Sequence, residues 1–268
     1  MSVLEHELID YNGVQVRFFG NHDDTDLRKP LVVFNGIGAG VNNWGEFLQE
    51  MDRPGIAIDV GRVATANGMP GFGTLAINTI DEFVDGKFDL LGYSWGGLLA
   101  QEVAHRRSRQ ISHLVLAATA PSWPCWPPTY AAYRGMQSSD RTPEHLIKIA
   151  AELYGGDEIR KNPELVVELG IARDTDDEAY ERQHRAAMTC WYNAARLMLI
   201  RQRTLIMAGD DDPITPYMNA LVMRAGILRS QLHTEHNGGH LFLMTRPKKS
   251  AKRINEFLDT NRKLALAA

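Results

Sequence analysis

The chain has 268 residues, 44% hydrophobic and 23% charged, enough for one large α/β domain with a well-buried core and room for an insertion. A formal net charge of −4 and a pI of about 6.1 offer no basic surface for nucleic acid, and no apolar run approaches the length of a membrane span. Two cysteines, Cys125 and Cys190, make no disulfide framework, and the first residues lack a basic region followed by an apolar one; the expectation is a cytoplasmic protein with free thiols.

Leu8–Asp10 and Val14–Phe19 alternate apolar and polar residues around Asn12-Gly13, which predicts a β-hairpin. Leu31–Phe34 and Gly55–Val60 are short and apolar throughout, as strands buried on both faces are. Between them Trp44–Met51 reads as a helix. Gly61–Gly73 lacks periodicity and reads as a loop, followed by a helix over Leu75–Val84 with Thr74 as its N-cap. Phe88–Leu91 and His113–Ala118 are further buried strands, with a helix over Leu98–Arg107 between them. After a long interval come strands over Thr204–Gly209 and Gln231–Glu235, and helices over Pro216–Ala225 and Lys248–Thr260. Strands alternating with helices imply a mostly parallel central sheet flanked by helices, with the hairpin at one edge.

The alternation breaks between Ser122 and Arg203. This stretch opens with Pro121-Ser122-Trp123-Pro124-Cys125-Trp126-Pro127-Pro128, too rich in proline for a helix or a central strand. Helix-like stretches follow at Pro143–Tyr154, Pro163–Ile171 and Glu178–Ile200. The reading is a core of residues 1–121 and 204–268 with a helical cap, 122–203, inserted between two core strands. The aromatic entrance to that cap, Trp123, Trp126 and Tyr130, either lines a substrate pocket or packs cap onto core. A pocket walled by these rings would favour medium-length acyl chains.

Gly92-Tyr93-Ser94-Trp95-Gly96 lies between an apolar strand and a helix. A serine on such a turn projects its hydroxyl above the sheet, but it needs a base, and the base needs a carboxylate to fix its tautomer. Both occur downstream, each in a loop just past a strand. Gly209-Asp210-Asp211-Asp212-Pro213 supplies the acid, Asp212 with Asp211 as the alternative. Gly238-Gly239-His240 supplies the base, with His236 as the alternative. Catalytic groups of open parallel sheets gather at the carboxyl ends of strands, and all three positions obey that rule. The backbone N–H of Trp95 and of Ile37, in the glycine-rich loop Asn35–Gly40, would form an oxyanion hole. That loop lacks the Lys-Ser/Thr of a phosphate loop, and the aspartate run lacks the spacing of a metal site, so neither a cofactor nor a metal is expected.

Four stretches together resemble the α/β-hydrolase superfamily, and within it the intracellular medium-chain poly(3-hydroxyalkanoate) depolymerases. They are Phe34-Asn35-Gly36-Ile37-Gly38-Ala39, Ser94-Trp95-Gly96-Gly97, Leu114–Ala120, and the paired Ala208–Pro213 and Gly239–Leu243; Tyr154-Gly155-Gly156 is similar too. The resemblance implies the α/β-hydrolase fold, a triad of Ser94, Asp212 and His240, and a hydroxyalkanoate ester, small or oligomeric, as substrate partner. A thioesterase, an acyltransferase or cyclase, or a C–C hydrolase could use the same triad, and a non-catalytic binding protein could retain it. Nothing in the sequence sets an oligomeric state.

Overall fold

The computed structural model describes residues 8–20, 28–44, 46–122, 125–171 and 176–260. The hairpin forms as expected: β1 (Leu8–Tyr11) pairs antiparallel with β2 (Val14–Phe19), Tyr11 opposite Val14. β2 in turn pairs antiparallel with β4 (Gly55–Asp59). From there every pairing is parallel, through β3 (Leu31–Phe34), β5 (Phe88–Tyr93), β6 (Ile111–Ala117), β7 (Arg203–Gly209) and β8 (Ser230–Glu235). The eight strands of the described residues lie in the order β1-β2-β4-β3-β5-β6-β7-β8.

The apolar strands β3 and β5 are buried along their whole length because both faces are covered. Alternate residues serve opposite layers. Val32, Phe34, Leu90, Leu114 and Ile206 face a core shared with α1 (Gly68–Phe83), α2 (Trp95–Arg106) and α9 (Met218–Gly226). Leu31, Val33, Leu91, Val115 and Leu205 face a second core with α10 (Phe242–Thr245) and α11 (Pro247–Leu258). The parallel strands all end on the same side, so the loops after β3, β5, β7 and β8 converge there.

Among the described residues, six α-helices lie between β6 and β7: α3 (Tyr130–Gln137), α4 (Pro143–Tyr154), α5 (Asp157–Lys161), α6 (Leu165–Glu168), α7 (Asp177–Thr189) and α8 (Tyr192–Arg196). Three start on side-chain caps. Thr129 accepts from Ala132 N–H, Thr142 from His145 N–H with Pro143 at the first helical position, and Asp176 from Ala179 N–H.

Several local expectations are corrected. Trp44 and residues 46–51 bury their apolar stripe but form successive hydrogen-bonded turns, Phe47 N–H to Trp44 O and Met51 N–H to Leu48 O, rather than a helix. α1 begins at Gly68, well before Leu75. Pro70 sits in the first turn, where its missing N–H has no helical partner to lose, and burial of Met69 and Phe72 favours the earlier start. Thr74 is therefore inside the helix, its hydroxyl donating to Pro70 O. The single helix read over Glu178–Ile200 breaks at Cys190, where buried Asn193 turns to donate to Leu98 O at 3.2 Å. The helix over Pro163–Ile171 is only the short α6, and α3 and α5 form where no helix was read.

Candidate active site

Ser94 sits at the sharp turn from β5 into α2 with φ 54° and ψ −121°. A residue with a Cβ is strained there by roughly 1–3 kcal/mol, a cost the surrounding structure must hold. Three hydrogen bonds fix the turn: Ser94 N–H to Ala117 O at 2.9 Å, Gly97 N–H to Ser94 O at 2.9 Å, and the Thr119 hydroxyl to Ser94 O at 2.6 Å. Glycine at 96 is a steric requirement, since a Cβ there would lie 2.3 Å from Phe34 O. The sequence pattern around Ser94 is thus the condition for α2 to pack against β3.

The loops after β7 and β8 complete a chain of hydrogen bonds. His240 Nε2 is 3.0 Å from Ser94 Oγ, and His240 Nδ1 is 2.8 Å from Asp212 Oδ2. Asp212 is buried and its carboxylate is fully engaged, accepting from Thr215 Oγ1 at 2.7 Å and from the N–H groups of Ile214 and Thr215 at 2.9 Å. His240 is anchored through its backbone as well: its N–H donates to Tyr154 O at 2.7 Å and its carbonyl accepts from the Tyr93 hydroxyl at 3.0 Å. Burial, reinforced by the Asp212 charge, pushes the Tyr93 phenol well above its usual range, so it remains a donor to that carbonyl.

The consecutive aspartates have separate partners. Asp211 pairs with Arg160 of α5 and accepts from Gly156 N–H at 2.7 Å. Asp210 accepts from Asn237 N–H at 2.6 Å and lies 3.0 Å from His236 Nδ1. His236, with a side chain 82% exposed, is far from burial beside a serine. The geometry therefore joins Ser94 to Asp212 and His240, and leaves Asp211 and His236 in other contacts.

Trp95 is the first residue of α2, where a backbone N–H has no acceptor within the helix. Ile37 lies in the loop after β3, which runs against Ser94: a Cβ on Gly36 would be 3.4 Å from the Ser94 Cβ. Asn35 braces this loop by donating to Ala39 O. Sequence reading missed a second brace, Gln183 of α7. Its Oε1 accepts from Gly38 N–H at 3.0 Å and its carbonyl accepts from the Trp95 indole at 2.9 Å. A glutamine on a helix face carries no sequence signal of such a reach.

Two cavities meet at Ser94, Ile37, Met136, Tyr180 and Ile214. The larger, of about 140 Å³, includes His240, Tyr93, Tyr154 and Arg141 and is otherwise mostly apolar. The smaller, of about 80 Å³, is lined by Trp95, Leu98, Ala120, Tyr133 and Ala187 among others. The expected pocket aromatics are not brought there. Trp126 is 49% exposed and Tyr130 76% exposed, and neither lines either of these two cavities. The backbone of Trp126 is instead fastened to the Asn219 side chain, N–H to Oδ1 at 3.0 Å and carbonyl to Nδ2 at 2.9 Å. Trp123 lies outside the described residues. The rings at the cavities are Trp44, Tyr93 and Trp95 from the core and Tyr133, Tyr154 and Tyr180 from α3, α4 and α7.

Comparison with known proteins follows the same outline. The model of the alpha/beta hydrolase family matches residues 31–253. The chain is 36% identical over 248 residues to a poly(3-hydroxyalkanoate) depolymerase from Ectopseudomonas oleovorans, covering 88% of this chain and 87% of that one. It is 26% identical over 263 residues to a 2-hydroxymuconate semialdehyde hydrolase from Pseudomonas sp. strain CF600, covering 89% of each. Among solved structures, a meta-cleavage product hydrolase from Pseudomonas fluorescens IP01 shares the fold with a TM-score of 0.77 at 21% identity, over 97% of this chain and 100% of that one. Sheet order, the strained serine turn and a family match from β3 to α11 agree, and the chain belongs to the alpha/beta hydrolase family.

Proposed function

We propose that this hydrolase cleaves carboxylic esters through an acyl-enzyme on Ser94. The observation that carries the reading is the buried run of hydrogen bonds from Ser94 through His240 to Asp212, at 3.0 and 2.8 Å, opening on two cavities. His240 Nε2 takes the Ser94 proton as Oγ attacks the ester carbon, while Asp212 holds the Nδ1–H tautomer and stabilises the imidazolium. The N–H groups of Ile37 and Trp95 receive the negative charge on the carbonyl oxygen. The imidazolium then protonates the leaving alcohol, and water, deprotonated by His240, releases the acid.

The likeness to a poly(3-hydroxyalkanoate) depolymerase favours a 3-hydroxyalkanoate ester as substrate. Residues 122–203 would be the cap: Met136, Tyr154 and Tyr180 from its helices wall the space above Ser94. The free thiols of Cys125 and Cys190 suit a cytoplasmic setting, and no helix of the described residues is long and apolar enough to cross a membrane.

The test is labelling by a fluorophosphonate, together with turnover of 3-hydroxyalkanoate oligomers, p-nitrophenyl esters and acyl thioesters. Ser94→Ala should abolish labelling and lower kcat by about 10⁴–10⁶-fold with the fold intact. Labelling at another residue, or full activity in Ser94→Ala, overturns the reading.

A further inference from the structure

The cavity that includes His240 also includes a cation for which the ester chemistry has no use. Arg141 stands just before the cap residue of α4, and it is the one permanently charged side chain among the described residues lining either cavity. Leu146, Leu153, Ile171 and Met244 make much of the remaining wall. The guanidinium is poorly satisfied. Nη2 donates to Met136 O at 3.1 Å, while Nε is buried with no hydrogen-bond partner among the described residues. The neighbouring Asp140 does not neutralise it, being turned to the Thr142 hydroxyl at 2.8 Å and to the His145 ring. A part-buried cation with no counter-ion among the described residues has donors to spare, and a planar fork of N–H donors is matched by a carboxylate.

His240 sets which part of a substrate would meet Arg141. The general acid must lie within hydrogen-bond reach of the leaving oxygen. His240 lines the larger cavity and is absent from the smaller one, so the alcohol portion occupies the larger and the acyl portion the smaller, against Leu98, Ala120 and Ala187. Resting on the ester-hydrolase reading, we infer that Arg141 binds a carboxylate on the leaving alcohol. The substrate class is then an acyl ester of a hydroxy acid whose carboxylate is free, the terminal unit of a hydroxyalkanoate oligomer. The Ser94 proton passes through His240 to the departing hydroxy acid. Water supplies hydroxyl to the acyl carbon and returns its proton through His240 to Ser94, so one ester and one water give one hydroxy acid and one carboxylic acid.

The test compares 3-hexanoyloxybutanoate with 3-hexanoyloxybutanamide, which carry the same ester and differ in the charge. By hexanoate release, kcat/KM of the wild-type protein should favour the acid by about tenfold or more, as one charge-assisted contact gives. Arg141→Gln should bring the two substrates within about twofold of each other, and Arg141→Lys should keep part of the preference because it keeps a point charge. Equal turnover of acid and amide by the wild-type protein, or a preference that persists in Arg141→Gln, overturns the inference. If circular dichroism shows Arg141→Gln unfolded, the wild-type ratio and its partial loss in Arg141→Lys decide. Calorimetric binding of both compounds to Ser94→Ala separates this site from the chemistry. Carboxylate-selective binding without turnover in the wild type would sink ester hydrolysis and sustain the Arg141 site. Turnover without selectivity would do the reverse.

Discussion

Gln183 holds Gly38 from 145 residues further along the chain, its Oε1 accepting the Gly38 N–H at 3.0 Å. Because the Gln183 carbonyl also accepts from the Trp95 indole, one residue of α7 touches both sides of the proposed oxyanion hole.

Gln183→Met keeps the side chain's length and removes the acceptor. It should lower kcat by about tenfold with a smaller change in KM, because the loop after β3 loses its registration on the developing charge. The Gly38 N–H left unpaired should also lower Tm, at a cost of about 1–3 kcal/mol. A folded variant with wild-type kcat would make Gln183 a fold contact only.

The φ of 54° at Ser94 predicts a difference between two inactive variants. Ser94→Ala retains a Cβ in a conformation that disfavours it, whereas Ser94→Gly does not. By thermal denaturation, Ser94→Gly should melt about 2–4 °C above Ser94→Ala, the shift that about 1 kcal/mol gives in a protein of this size. Equal or reversed melting temperatures would mean that the turn stores no strain.

Amide substitutions should separate the three aspartates. Asp212→Asn disrupts the tautomer of His240 and should lower kcat by about 10³–10⁴-fold. Asp211→Asn weakens the tie to Arg160 and Gly156 and should act mainly on Tm, and Asp210→Asn should do little to either. A crippled Asp211→Asn with an active Asp212→Asn would move the acid by one residue.

Glu235 gives the protein an acid limb. It is fully buried at the end of β8, within 2.6 Å of Lys249 Nζ, 2.8 Å of His233 Nε2 and 3.3 Å of Arg246 Nη1. Burial by itself would raise its pKa, but the bonds from Lys249 and His233 outweigh it and hold the carboxyl below the ordinary glutamate range. A carboxylate easier to ionise in the fold than in the unfolded chain stabilises above the unfolded value of about 4.3, and the gain is lost as pH falls through the lower folded value. Tm should therefore fall steadily as pH drops below about 4.3. Glu235→Gln should start from a lower Tm at neutral pH and show a shallower fall. Parallel acid limbs would remove Glu235 as the cause.

What could be read from the residues was whatever carries a local rule. The hairpin at Asn12-Gly13 and the apolar strands declare themselves by period and turn chemistry. Ser94 and His240 are marked by the glycines that let their turns close. Position and resemblance favour Asp212 over Asp211, but the partners that distinguish them, His240, Arg160 and Gly156, are 28, 51 and 55 residues distant and carry no local signal. Between a pocket and packing for the cap-entrance rings the residues could not decide, because ring content is visible and direction is not: Trp126 and Tyr130 are exposed, while Tyr133, Tyr154 and Tyr180 reach the cavities. Trp44–Met51 shows that an apolar stripe does not decide between a helix and tighter turns.

The stretch Tyr154-Gly155-Gly156 joins α4 to α5 and lies directly on the loop that carries His240. Both glycines have positive φ, 62° and 82°. A Cβ on Gly155 would fall 2.1 Å from Asp211 O, and one on Gly156 would fall 2.6 Å from Gly239 N. Exchange of the helices between β6 and β7 with those of another relative is therefore not a swap of an interchangeable part. A chimera that brings a new roof without this Gly-Gly pair would press on the acid loop and the histidine loop together, and would withdraw the carbonyl to which the His240 N–H is tied. Grafts meant to change specificity should begin after residue 156, or carry all three residues with them.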